Sequence, residues 1–143
     1  MRCLVVDDLS ICRKAVALIL RGVAECDDAV DGDEAVAKFR AALQKGEPYD
    51  VIFLDILMPG IDGHDTAKEI RKVESEMSSS TKVKIIMLTV LNSVNDAMKS
   101  FCSAHSVAYI VKPPSKEKFF HAFKDLGLIE HAEGSHRWLA EGP

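Results

Sequence analysis

Four short apolar runs, each followed by a polar residue of chemical consequence, constrain this chain more than any other feature. Cys3-Leu4-Val5-Val6 leads into Asp7-Asp8, and Val51-Ile52-Phe53-Leu54 leads into Asp55. Val83 to Leu88 is followed by Thr89, and Val107 to Val111 by Lys112. Each run is too short for a helix and lacks polar alternation, which is the pattern of parallel strands covered on both faces. Open α/β folds bind ligands outside the carboxyl ends of their strands. If the strands are neighbours, three carboxylates, a hydroxyl and an ammonium share one rim. Two unit charges about 4 Å apart repel by roughly 4 kcal/mol at an effective dielectric near 20. The carboxylates therefore need a compensating cation, and the rim suits a divalent metal with a phosphoryl group.

Helical patterns separate the runs. Ser10 is placed to cap a first helix with Ile11, Ala15, Leu18 and Ile19 at a 3.6 period, and Gly22 stops it. Val23 to Ala29 is a weak, polar-interrupted strand suited to a sheet edge. Asp31 followed by Glu34 resembles a capping box for a helix through Ala35, Val36, Phe39, Ala42 and Leu43, which Gly46 and Pro48 end. Pro59, Gly60 and Gly63 mark a turn after Asp55, before a helix from about His64 to Met77. Two more helices are expected at 93–104, with Val94, Ala97, Met98 and Phe101, and at 116–127, with Phe119, Phe120, Phe123 and Leu126. Strand and helix thus alternate five times, implying a parallel sheet with right-handed crossovers and helices on both faces.

At 143 residues the chain fits one domain. A net charge of −4 argues against non-specific nucleic-acid binding, which uses a basic footprint. No apolar stretch approaches the roughly 20 residues of a membrane span, and Asp7-Asp8 interrupt any early signal-peptide pattern. Cys3, Cys12, Cys26 and Cys102 are scattered without a C-x-x-C pair; Cys3 lies in a strand pattern and Cys12 and Cys102 in helix patterns, so buried thiols of a reducing cytosol and a cytoplasmic location are expected. The five histidines lack metal-ligand spacing, and His64 is expected to face solvent.

Four motifs carry a family resemblance: Leu4-Val5-Val6-Asp7-Asp8, Asp55-Ile56-Leu57-Met58-Pro59-Gly60-Ile61-Asp62-Gly63, Met87-Leu88-Thr89 and Tyr109-Ile110-Val111-Lys112-Pro113. In this order they resemble the receiver domain of two-component response regulators, over residues 2 to about 127. The resemblance implies a flavodoxin-like, doubly wound five-stranded parallel sheet of strand order 2-1-3-4-5 with five helices on two faces. It implies a receiver domain at 1–127 and a short C-terminal tail at 128–143 with no output domain, a stand-alone architecture of the chemotaxis type. Asp55 is the implied phosphoacceptor. Mg²⁺ (or Mn²⁺) would be held by Asp8, Asp55 and the Leu57 backbone carbonyl, with Asp7 acting mainly through water. Lys112 and Thr89 would contact the phosphoryl oxygens, and Thr89 and Tyr109 would form the switch pair. A cis peptide is implied at Lys112–Pro113, and Ser115 is available to cap the last helix.

The implied function is a phosphorylation-activated switch rather than an enzyme, promoting only its own phosphorylation and dephosphorylation. The donor would be a histidine kinase or histidine phosphotransfer protein. The output would be a downstream protein contacted through the fourth helix, fifth strand and fifth helix, roughly residues 92–127. Neither DNA nor a membrane is an expected partner, and the protein would be a monomer or a phosphorylation-dependent dimer. By the same resemblance Leu57 and Leu91 flank the path of hydrolytic water and cannot orient it, and the bulk of Val90 crowds access further, which implies a long-lived phosphate. Two other classes fit less well. A haloacid-dehalogenase-type enzyme needs Asp-x-Asp after its first strand, where this chain has Leu9 two residues beyond Asp7. A nucleotide- or flavin-binding fold needs a Gly-rich loop there.

Overall fold

The computed structural model describes residues 1–90, 95–129, 138 and 140. Its elements are β1 (Arg2–Val6), α1 (Ser10–Ile19), β2 (Glu25–Ala29), α2 (Gly32–Gln44), β3 (Val51–Asp55), α3 (Gly63–Glu76), β4 (Lys84–Thr89), α4 (Asp96–His105), β5 (Val107–Val111) and α5 (Lys116–Asp125). The strands form one parallel sheet in the order β2-β1-β3-β4-β5. The polar β2, Glu-Cys-Asp-Asp-Ala, lies at an edge, as its composition requires.

The unbroken apolar runs follow from the two-sided burial. Leu4, Val6, Ile52, Leu54, Ile85 and Met87 turn to one face and pack under α2, α3 and α4. Cys3, Val5, Val51, Phe53, Ile86, Leu88 and Ile110 turn to the other, under α1 and α5. On that second face Phe53 stacks on Phe119 with ring centroids 4.8 Å apart. Fully burying one such side chain contributes about 1.5–3 kcal/mol.

Side-chain caps fix the starts of four helices. Asp31 accepts from the Glu34 amide at 2.8 Å, Asp62 from Asp65 at 2.9 Å, Asn95 from Met98 at 2.9 Å and Ser115 from Lys118 at 3.2 Å. Each satisfies an orphan amide, a contribution of about 1 kcal/mol. Ser10 is not a cap. It is the first residue of α1, and the preceding Leu9 makes no side-chain cap bond. The expected inner face of α1 is also corrected: Ile11, Ala15 and Leu18 are exposed, whereas Val16 and Leu20 are buried. Seven of the ten α1 positions are apolar, so a 3.6 period fits more than one face.

A buried acid ties the far end of α3 into the sheet. Glu74, 5% exposed, pairs with Arg71 at 2.6 Å and accepts from the Val83 amide at 2.7 Å. Arg71 in turn donates to the carbonyls of His105 and Ser106 at the end of α4. The two residues thus fasten α3 to β4 and to α4.

The tail also contributes to the domain. Trp138 is 3% exposed, stacks on Phe123 at 6.0 Å and donates its Nε1–H to the Ile19 carbonyl at 3.1 Å. The Lys116 ammonium donates to the Trp138 carbonyl at 2.9 Å. This residue therefore covers the junction of α1 and α5. Val94 and Leu91, both assigned roles from sequence, lie outside the described residues.

Candidate phosphoryl and metal site

The sheet register assembles the site. Val6 lies opposite Leu54, so the residues that follow, Asp7 and Asp55, emerge side by side. On the next strands Asp55 pairs with Leu88 and Thr89 with Val111, which puts Thr89 and then Lys112 on the same rim. The Lys112 amide donates to the Thr89 carbonyl at 2.6 Å, holding the β5 end against β4. The Lys112–Pro113 peptide is cis.

One oxygen from each of Asp7, Asp8 and Asp55 lies within 4.8 Å of the others, the single such acidic group among the described residues. Asp7 is buried, Asp55 half-buried and Asp8 exposed. All three donors are hard carboxylate oxygens and one side is open to solvent, which fits a hydrated Mg²⁺ or Mn²⁺ better than a soft metal. Burial pushes the Asp7 carboxyl up from its ordinary value, and the charges of Asp55 and Asp8 add to this. The Leu9 amide, donating to Asp7 Oδ1 at 2.9 Å, and the charge of Lys112 act in the opposite direction.

Opposite the acids, the Lys112 ammonium lies 3.4 Å from Asp55 Oδ1. Arg13 supports the acidic loop from behind, donating to the Asp7 carbonyl at 2.8 Å and pairing with Asp28 at 2.9 Å. Sequence reasoning missed Arg13; its place one helical turn beyond Leu9 was the available signal. Gly63 explains how the turn after Asp55 passes so close to β3. A Cβ there would lie 2.7 Å from the Asp55 carbonyl oxygen and 2.9 Å from Ile56 Cα, both backbone atoms that cannot yield.

Thr89 is 3% exposed, and its hydroxyl donates to the Val90 carbonyl at 3.2 Å. Tyr109 lies on edge strand β5 and is 37% exposed. Leu57 projects into solvent at 77% exposure, and Val90 is also exposed. His64 does not simply face water: it is half-buried and meets the Phe101 ring edge-on at 4.7 Å. Among the cysteines, Cys3 and Cys102 are buried as expected and Cys12 is only half-buried; Cys26, on the edge strand, is half-buried as well.

With this geometry in view, the likeness to known proteins is specific. The chain matches the family model of the response regulator receiver domain over residues 3–124. It is 36% identical over 124 residues to the transcriptional regulatory protein ResD of Bacillus subtilis, covering 86% of this chain and 46% of ResD. It is 34% identical over 134 residues to hybrid signal transduction histidine kinase L of Dictyostelium discoideum, covering 92% of this chain and 8% of that protein. The chain thus spans less than half the length of either relative. Among solved structures, the receiver domain of histidine kinase CKI1 from Arabidopsis thaliana, complexed with Mg²⁺ and BeF₃⁻, aligns with a TM-score of 0.75. Its identity is 26%, with 90% of each chain covered.

Proposed function

Since the chain belongs to the response regulator receiver family, the phosphorylation-activated switches of two-component signalling, we propose that Asp55 is its phosphoacceptor. The donor in this reading is a histidine kinase or a histidine phosphotransfer protein. The observation that carries it is the position of Asp55, whose carboxylate stands in the acidic cluster and 3.4 Å from the Lys112 ammonium.

In the reaction an Asp55 oxygen attacks the phosphorus of phosphohistidine, the P–N bond breaks, and an aspartyl phosphate remains. Asp7, Asp8 and Asp55 would hold the metal, together with the Leu57 carbonyl. A bound Mg²⁺ supplies the positive charge that offsets these acids and the incoming phosphoryl oxygens. Lys112 can leave Asp55 Oδ1 for a phosphoryl oxygen by a small side-chain rotation, keeping a point charge on the transferred group. The Thr89 hydroxyl would exchange its Val90 carbonyl acceptor for another phosphoryl oxygen.

That exchange is the switch. Drawing Thr89 toward the phosphate vacates space on its strand, and the half-exposed Tyr109 ring turns inward to fill it. The surface of α4, β5 and α5 then differs between the two states, which is what a downstream partner reads. Paired structures with and without Mg²⁺ and beryllofluoride test this. The expected result is a new acceptor for the Thr89 hydroxyl together with a buried Tyr109. Retention of the solvent-exposed Tyr109 rotamer in the beryllofluoride complex would route the coupling elsewhere.

A further inference from the structure

The register of β1 and β2 places Cys3 directly opposite Cys26. Register partners on adjacent strands point to the same face of a sheet. Both cysteines accordingly pack into the one apolar cluster beneath α1 and α5. Adjacent strands lie about 4.7–4.9 Å apart, inside the roughly 4.4–6.8 Å range of Cα separations that a disulfide bridges. Their exposures differ in a useful way. Cys3 is fully buried, whereas Cys26 lies half-buried on the edge strand, where a small solute can reach it. Cys12 and Cys102 sit on α1 and α4, which cover opposite faces of the sheet, and neither is the register partner of another thiol.

We propose that Cys3 and Cys26 are a reversible redox pair, in which hydrogen peroxide oxidises Cys26 and Cys3 resolves it to an intramolecular disulfide. In the first step the Cys26 sulfur attacks one peroxide oxygen. The O–O bond breaks, a sulfenic acid forms and water leaves. In the second step the Cys3 sulfur attacks the Cys26 sulfur, the S–O bond breaks, and the Cys3 proton departs with the hydroxyl as a second water. The two thiols together lose two electrons, and the peroxide gains them. The neighbouring Cys3 thiol supports this order of events, because its proximity lowers the Cys26 thiol from its ordinary value while proximity to Cys26 and burial raise Cys3. The thiolate is the reactive form, so Cys26 is the attacking group and Cys3 the resolving one.

The pair occupies the amino-terminal halves of β1 and β2, whereas Asp7, Asp8 and Asp55 lie at or beyond the carboxyl ends of β1 and β3. A bridge there ties the edge strand to its neighbour without touching the acidic cluster. Oxidation is therefore a second modification of the domain, separate from phosphorylation at the rim.

The test is peptide mapping of the native protein after hydrogen peroxide treatment. Digestion with trypsin and an Asp-specific protease together separates the four cysteines. The expected product links the Cys3 and Cys26 peptides, with two of the four free thiols lost and all four restored by dithiothreitol. Cys3→Ala should remove the link and leave a Cys26 sulfenic acid that dimedone traps, and Cys26→Ser should remove both. A link through Cys12 or Cys102, or sulfinic acid at Cys26 with no linked peptide, would overturn the proposal. The mapping of the unsubstituted protein decides the matter even if a variant fails to fold.

Discussion

Lys112 and Asp55 meet at 3.4 Å although their strands are not neighbours: β4 lies between β3 and β5 in the sheet. The lysine reaches across the end of β4, over Thr89, to the carboxylate. Such a span places a mobile cation where a transferred phosphoryl group would arrive. Lys112→Met removes that charge and its hydrogen bond, a loss of about 1.5–3 kcal/mol in a charge-assisted contact. Phosphorylation of Asp55 from acetyl phosphate should slow by roughly ten- to a hundredfold. A stopped-flow rate within about twofold of the unsubstituted protein would remove Lys112 from the proposed chemistry.

Asp7 sets a pH dependence whose sign can be worked out. Its folded value is raised by burial and by neighbouring carboxylates. Its contribution to stability is therefore fully present below the unfolded value and is lost as pH rises through the folded one. The metal-free protein should lose stability in that window relative to Asp7→Asn, and saturating Mg²⁺ should abolish the difference. Urea midpoints measured across acidic to neutral pH, with and without Mg²⁺, check this. Parallel curves for the two proteins in the absence of metal would show that Asp7 ionises without strain.

Trp138 provides a prediction for the tail. Its indole fills the junction of α1 and α5 and bonds to the Ile19 carbonyl. Replacing a buried tryptophan by alanine costs about 3–5 kcal/mol. Trp138→Ala should lower the urea midpoint accordingly, and the intact protein's single tryptophan should emit at the short wavelengths of a buried indole. A loss below about 1 kcal/mol with red-shifted native emission would mean that the domain ends before this residue.

The lifetime of the phosphate follows from what surrounds it. Leu57 is open to solvent and carries no group that can orient a water. Leu57→Asn supplies such a group, and one added hydrogen bond in the transition state, about 0.5–1.5 kcal/mol, corresponds to roughly a two- to tenfold change in rate. Decay after removal of the phosphodonor should be slow in the native protein and faster by about that factor in the variant. Equal decay in both would separate lifetime from this side chain.

Much of this molecule is legible in its sequence because two-sided burial keeps the interiors of β1, β3 and β4 apolar, and the edge strand β5 is apolar as well. Their carboxyl-end residues then fall on one rim by register alone, so the sequence itself groups Asp7, Asp8, Asp55, Thr89 and Lys112. Where many positions of an element are apolar, the pattern loses its direction. In α1 the exposed Ile11 and Leu18 are as apolar as the buried Val16 and Leu20, and the period alone does not choose between them. Long-range partners leave no local trace either. Nothing near His64 announces Phe101, nothing near Trp138 announces Ile19, and Cys3 finds Cys26 only once the strand register is fixed.

Whether Asp55 accepts the phosphoryl group can be read from the intact mass of the protein. The protein is incubated with acetyl phosphate in the presence and absence of Mg²⁺, alongside Asp55→Asn. One added phosphoryl group is expected in the native protein with Mg²⁺ and none without it. None is expected in the variant under either condition. Stoichiometric Mg²⁺-dependent labelling of Asp55→Asn would contradict Asp55 as the acceptor.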